Sequence, residues 1–222
     1  MQDAKRWLLW LSVPNKDPSK KRGKVPCWTD LTKRCGALDG QRDQRKLALY
    51  PDAVEALEEA QKRAIPGVKE EWKGGYYAGL GFALGLSSEA GKVWQGVDLD
   101  GVRDPVTGAV ESWAEAILAH ARQLGAYIEV SPSGKGFHIH GLGAPLQTLG
   151  PNKTGVEGYS EGRYFTFTGN GEPRGPTAPL PDLAPLMPAL LAQHGTPAEE
   201  PGQAKKRKKA SQKAQAPRPT GE

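Results

Sequence analysis

Val97-Asp98-Leu99-Asp100-Gly101 is the stretch on which the reading of this chain turns. In a β-strand, side chains alternate between two faces. Val97 and Leu99 then enter a core, and Asp98 and Asp100 stand side by side on the opposite face. Neighbouring carboxylates repel each other unless a positive charge lies between them, and a divalent cation with oxygen ligands is the usual solution. Asp-Gly is also a common turn dipeptide, so the pair alone does not choose between a metal site and a turn.

Around this stretch the pattern alternates strands with a few helices. Residues 93–100 read as a strand that ends in the acidic pair, preceded by a Gly-rich buried strand over 77–86. The glycines of that strand do not match a phosphate-binding GxGxxG, because no helix start follows them. Residues 4–13 predict a first strand buried on both faces, followed by a polar, basic loop over 15–23. Residues 52–63 predict a helix with Ala53, Val54, Ala56, Leu57 and Ala60 as its apolar stripe, stopped by Ile65-Pro66-Gly67. The clearest helix is 112–124, with Ser112 and Glu115 fitting a capping box, Trp113, Ile117, Ala121 and Leu124 on one face, and Gly125 as its stop. Short strands are expected at 127–130, 137–142, 156–159 and 163–168, with Ser160-Glu161-Gly162 as a tight hairpin turn, and a short helix broken by Pro185 and Pro188 within 180–191. The order of elements predicts an α+β domain over residues 1–194. The Lys-rich, Ala/Gln/Pro-containing segment 195–222 is expected to be disordered.

Bulk properties narrow the classes. Net charge is +5, but residues 203–222 carry +6 and residues 1–24 carry +5, which leaves −6 for everything between them. The basicity therefore belongs to the ends, and a pI of 9.1 is by itself poor support for a nucleic-acid-binding surface. The terminal charge run reads as a solvated end or as a salt-sensitive tether to DNA. Mean hydropathy is −0.58. No apolar run approaches the roughly 20 residues needed to cross a bilayer, and the N-terminus lacks a signal-peptide layout, so a cytoplasmic location without membrane contact is expected. The two cysteines, Cys27 and Cys35, form no CxxC pair and have no His at zinc spacing, so they read as reduced thiols.

Two further stretches carry chemistry. Ser131-Pro132-Ser133-Gly134-Lys135-Gly136-Phe137-His138-Ile139-His140 joins two strands by a Ser/Gly/Lys loop, which can gather N–H groups, a hydroxyl and an ammonium around phosphate oxygens. Phe137 and Ile139 point to the core, so His138 and His140 share the other face; a flexible hairpin loop with two surface histidines is the alternative. Val156-Glu157-Gly158-Tyr159, followed by Arg163-Tyr164-Phe165-Thr166-Phe167-Thr168-Gly169, adds a third acid and a cation, each unremarkable alone.

Taken in order, the three stretches closely resemble the archaeo-eukaryotic primase superfamily, in particular the small primase-polymerases of phages, plasmids and mobile elements. That family carries an acidic pair on one strand, a Ser-rich loop leading to a histidine, and an acidic residue on a later strand. Lys24-Val25-Pro26 and Gly79-Leu80-Gly81-Phe82 also look like family segments, so the resemblance spans roughly residues 5–175. It implies an RRM-like C-terminal half packed on a smaller N-terminal α/β unit, with the active site in the cleft between. It further implies a template-dependent nucleotidyltransferase, a DNA primase-polymerase that makes and extends primers on single-stranded DNA. Asp98, Asp100 and Glu157 would hold two Mg²⁺ or Mn²⁺ ions. Ser133, Lys135 and His138 would hold the phosphates of a nucleoside triphosphate, with Arg163 a further phosphate or template contact. A monomer is expected, with single-stranded template and primer as partners and a separately encoded replicative helicase as a candidate one. Two relations to the family differ: a C-terminal helicase domain and a zinc-binding element, present in some relatives, have no counterpart in these residues. A DNA-binding protein of the same fold that lost the chemistry, and a metal-dependent nuclease, are the other readings that carboxylates permit; the Ser/Lys/His loop favours synthesis over cleavage.

Overall fold

The computed structural model describes residues 1–34, 38, 40–62, 74–172 and 179–195. The basic segment 196–222, Cys35, and Arg63 with the Ile65-Pro66-Gly67 stop lie outside the described residues. The chain is α+β, and its described residues are built on two antiparallel sheets.

The first strand, β1 (Trp7–Val13), is buried at all seven positions. It lies between β2 (Gly23–Cys27) and β3 (Tyr76–Ala83). Among the described residues, two helices lie between β2 and β3: α1 (Gln41–Lys46), a short polar helix with no apolar periodicity to announce it, and α2 (Tyr50–Lys62). Of the stripe expected on α2, Ala53 and Ala60 are fully buried and the others pack partly against the same core. Residues 77–86 are not one strand. β3 ends at Ala83, and β4 (Gly85–Leu86) pairs in the other sheet. Gly85, at φ +109°, permits this change of direction, and the Arg6 guanidinium donates to the carbonyls of Ala83 and Leu84 at the crossing.

The second sheet is organised on β5 (Val93–Leu99). After it come α3 (Ser112–Leu124), β6 (Tyr127–Val130), β7 (Phe137–Gly143), β8 (Val156–Tyr159) and β9 (Tyr164–Phe167). The helix matches the expected bounds and stops at Gly125 in the left-handed region, but the capping box does not form. Glu111 occupies the N-cap, which puts Ser112 one place too far into the helix to cap it, and Glu115 pairs with Arg122 at 2.6 Å. A short 3₁₀ turn (Ala184–Leu186) leads into α4 (Met187–His194), which carries Pro188 within its first turn.

β5 pairs with β7 along its whole length on one side and with β4 and then β8 on the other; β6 lies beyond β7. β9 joins the first sheet beside β3. Ser160-Glu161-Gly162 therefore does not close a hairpin. It carries the chain from β8 in one sheet to β9 in the other, because Tyr159 and Phe165 on either side of it are buried in the core that joins the sheets. The N-terminal sheet is thus completed by a strand from the C-terminal half.

Two apolar clusters fix this arrangement. Val97, Leu99, Ile128, Phe137, Ile139 and Val156 pack under Ala114, Ile117, Leu118 and Ala121 of α3, with Leu186 and Leu190 beside them. The other joins Trp7, Leu9, Leu80 and Phe82 of the first sheet to Trp94, Leu142 and Tyr159 of the second. Fully burying one such side chain contributes about 1.5–3 kcal/mol. A one-residue slip of β5 would expose Val97 and Leu99 and drive Asp98 under α3, so the core enforces the register.

The loop before β7 is pressed against the end of β5. A Cβ at Gly136 would lie 2.1 Å from the Leu99 carbonyl oxygen. Gly136→Ala is expected to destabilise the fold by about 2–4 kcal/mol, read by chemical denaturation; a variant as stable as the parent would show that this loop does not seat on β5.

Candidate functional site

Cross-strand register builds the site. Asp98 on β5 is opposite both His138 on β7 and Glu157 on β8, and His138 is in turn opposite Glu129 on β6. A single row, Glu157–Asp98–His138–Glu129, therefore runs across four strands on the face that Val97 and Leu99 do not use. His138 Nε2 is 3.9 Å from Asp98 Oδ1, and His138 Nδ1 is 3.3 Å from Glu129 Oε1.

Asp100 stands one residue past β5 in the turn, with its N–H bonded to the Gly155 carbonyl at 3.0 Å. It is thus near Asp98 without being a strand neighbour on the same face. Its carboxylate meets Lys21 Nζ at 2.9 Å, across 79 residues of sequence.

Asp98 and Asp100 open onto a cleft of about 440 Å³ whose lining also includes Ser131, Ser133 and His138 from the second sheet and its loop. Trp10, Ser12, Lys21, Arg22, Lys24 and Tyr76 line it from β1, β3, β2 and the loop before β2. One wall is acidic and the other basic. Arg22 is anchored, donating from Nε to Ser12 Oγ at 2.7 Å and from a terminal nitrogen to the Gly74 carbonyl at 2.8 Å. Lys24 Nζ reaches Thr166 Oγ1 at 3.4 Å, and burial lowers its pKa against the pull of Asp98 and Asp100.

The sequence-predicted residues divide accordingly. Asp98, Asp100, Ser133 and His138 share the cleft. Glu157 is beside Asp98 in register but outside the lining, its Oε2 taking the Tyr159 hydroxyl at 2.7 Å. Arg163 lies over the Tyr159 ring, 4.9 Å from its centroid. Lys135 is exposed and contributes backbone: its N–H donates to Ser133 Oγ at 3.2 Å, and its carbonyl accepts from the Arg103 N–H. Neither Lys135 nor Arg163 lines the cleft; the cations that do are Lys21, Arg22 and Lys24. Their composition was visible as a basic loop, but only the folded chain brings that loop over the acidic pair.

Glu129 was also missed, as one acid in a short apolar strand. Its side chain is 0% exposed. Burial pushes its pKa up, yet the hydrogen bond from His138 and the Thr168 N–H help hold it below the usual glutamate value. His140 is also fully buried, and both ring nitrogens are without a hydrogen-bond partner. It sits among Phe82, Tyr127, Phe165 and Phe167, and burial pushes its pKa down to about 3, so it is neutral. The ligand atoms of Glu129, His138 and His140 lie within 4.8 Å of one another, so this buried group could hold a metal ion. No helix among the described residues is long and apolar enough to cross a membrane. No family model matches the sequence, and no curated protein does so significantly.

Asp98 bears the electrostatic cost of the site. Burial raises its pKa to about 6; His138 and Lys24 oppose the rise, and Asp100 and Glu157 add to it. Since the folded value lies above the unfolded 3.8, the native state holds this proton more tightly. That contribution is complete below about pH 4 and is lost as pH rises through about 6. Asp98→Asn is therefore expected to be more stable than the parent at pH 7.5, by up to about 3 kcal/mol, with the difference closing toward pH 4. Urea denaturation of both proteins at the two pH values in metal-free buffer checks it; a difference independent of pH would contradict the assignment.

Proposed function

We propose that this chain is a metal-dependent nucleotidyltransferase of the primase-polymerase type, which synthesises and extends primers on single-stranded DNA. The observation that carries the reading is the cross-strand row that puts Asp98 in register with both Glu157 and His138, at a cleft shared with Asp100 and Ser133. The fold expected of the primase superfamily belongs to the same proposal.

The donor set fits a hard divalent cation. Asp98, Asp100 and Glu157 offer carboxylate oxygens, and the raised pKa of Asp98 marks a buried carboxylate crowded by other acids, which a cation would relieve. Held by these three, Mg²⁺ or Mn²⁺ would supply Lewis-acid activation of a primer 3′-hydroxyl and neutralise charge on the triphosphate. The protein's own part is orientation and charge. His138 presents Nε2 toward Asp98 and the cleft, where its lone pair can accept a hydrogen bond from the primer hydroxyl. Ser131 and Ser133, with hydroxyls 3.1 Å apart, offer donors to the phosphates. Lys21, Arg22 and Lys24 face the acids and match the charge of a triphosphate better than Lys135 or Arg163 does. A nucleoside triphosphate together with its divalent cations carries both charge signs and would span the two walls. A separate helicase remains a proposed partner only by family resemblance.

The test uses the full chain with Mn²⁺ or Mg²⁺, labelled ribo- or deoxynucleotides, and primed or unprimed single-stranded templates. Asp98→Ala and Asp100→Ala are each expected to lower incorporation at least about a thousandfold, roughly 4 kcal/mol of barrier. Oligonucleotide binding, followed by fluorescence anisotropy, should persist in both. Undiminished synthesis by either variant would overturn the proposal, and binding without any product from the parent would favour a DNA-binding protein instead.

A further inference from the structure

Glu129 is a charged group placed where solvent cannot reach it. Its side chain is 0% exposed, at a position directly across from His138. Such a carboxylate must be satisfied by donors. The Thr168 N–H lies 3.1 Å from each of its oxygens, the Gly169 N–H is 3.0 Å from Oε2, and the Tyr127 hydroxyl is 3.1 Å from Oε2. The segment that supplies these N–H groups is itself tied down, Thr168 Oγ1 donating to the Val130 carbonyl at 2.9 Å and Val130 N–H to the Asn170 carbonyl at 3.1 Å. Backbone N–H groups can only donate, so the Glu129 oxygens they meet are acceptors. The remaining neighbour, His138 Nδ1 at 3.3 Å from Oε1, must then be the one that carries hydrogen.

We infer that Glu129 is a positioning residue, which holds His138 in the Nδ1–H tautomer with Nε2 turned to the cleft. The geometry is the one by which a buried carboxylate sets the tautomer of a working histidine, since the hydrogen bond on one ring nitrogen decides what the other can do. Without that partner, an imidazole favours hydrogen on Nε2, which would remove the lone pair from the cleft side. The Phe165 ring, 5.1 Å from the His138 ring, limits the ring to few orientations, so the hydrogen bond selects among them. His140 has no part in this selection. Its nitrogens have no hydrogen-bond partner, and the Glu129 oxygens are already taken by the Thr168, Gly169, Tyr127 and His138 donors. The consequence for catalysis rests on the proposed nucleotidyl transfer; the tautomer itself does not.

The experiment is ¹⁵N-histidine labelling of the full chain and long-range ¹H–¹⁵N correlation at neutral pH, with His138 assigned by its loss in His138→Gln. The parent is expected to show a protonated Nδ1 and a lone-pair-bearing Nε2. Glu129→Gln should lose that preference, and its kcat for incorporation should fall about 10–100-fold with KM changed less than threefold. Tyr127→Phe, which removes one donor from Glu129 and leaves His138 alone, should retain the parent tautomer. A parent His138 with hydrogen on Nε2 would overturn the inference even if Glu129→Gln fails to fold. So would a stoichiometric transition metal in the purified protein that is lost on His140→Ala, because Nδ1 and Glu129 would then be its ligands. The expected tautomer in a protein that makes no product would sustain the positioning role and count against the enzymatic reading alone.

Discussion

The pairing of β5 on both of its edges is the constraint on which the rest depends. Because β7 and β8 flank it in fixed register, Asp98 has a histidine on one side and a carboxylate on the other. No local sequence rule makes those neighbours. Their adjacency is enforced from the opposite face, where Val97, Leu99, Ile139 and Val156 are sealed beneath α3. A shift of one residue would cost several buried aliphatic side chains at about 1.5–3 kcal/mol each and would bury Asp98 among hydrocarbons. The apolar face of the sheet thus sets the geometry of its polar face.

That geometry is electrostatically costly, and the cost is concentrated. Asp98 is largely desolvated and near two other acids, which accounts for a pKa near 6. Glu129 is more deeply buried and yet stays below the usual carboxylate value. Donors explain the contrast: Glu129 receives N–H groups of Thr168 and Gly169 together with the Tyr127 hydroxyl, whereas His138 lies 3.9 Å from Asp98, beyond hydrogen-bonding distance. Structural carboxylates are satisfied within the fold. A carboxylate left short of donors at a cleft is poised for an outside cation, and this difference separates the two acids of one row by role.

Much of this was legible in the chain, for reasons that differ by residue. Alternation at 97–99 and at 137–140 is a period-two signal, so the faces of Asp98, Phe137, His138 and Ile139 could be assigned before any pairing was known. Helix 112–124 was equally readable, since its apolar spacing and Gly125 are local features. What failed depended on distant partners. The turn at 160–162 has hairpin composition, but its two strands are claimed by different sheets. Residues 77–86 read as one apolar run, although the chain changes sheets at Gly85. Glu129 gains meaning only through its opposition to His138, and Lys21 only through a fold that returns it to Asp100. Ser112 and Glu115 show the reverse error: a correct local motif lost its role because Glu111, not Ser112, occupies the N-cap.

The two walls of the cleft limit what it can be built to bind. A surface made only for the DNA backbone would gather cations, and each acid in it would weaken binding. A cation-only metal site has no use for Lys21, Arg22 and Lys24 opposite its carboxylates. Both walls are needed if the occupant carries charge of both signs, as a polyphosphate with its bound divalent ions does. The Lys21–Asp100 pair is compatible with that: it joins two side chains that are 74% and 41% exposed, where such a pair is worth at most about 1 kcal/mol, so it neutralises the walls without committing them. An ion and a phosphate can displace it at little cost, each taking the partner that the other gives up.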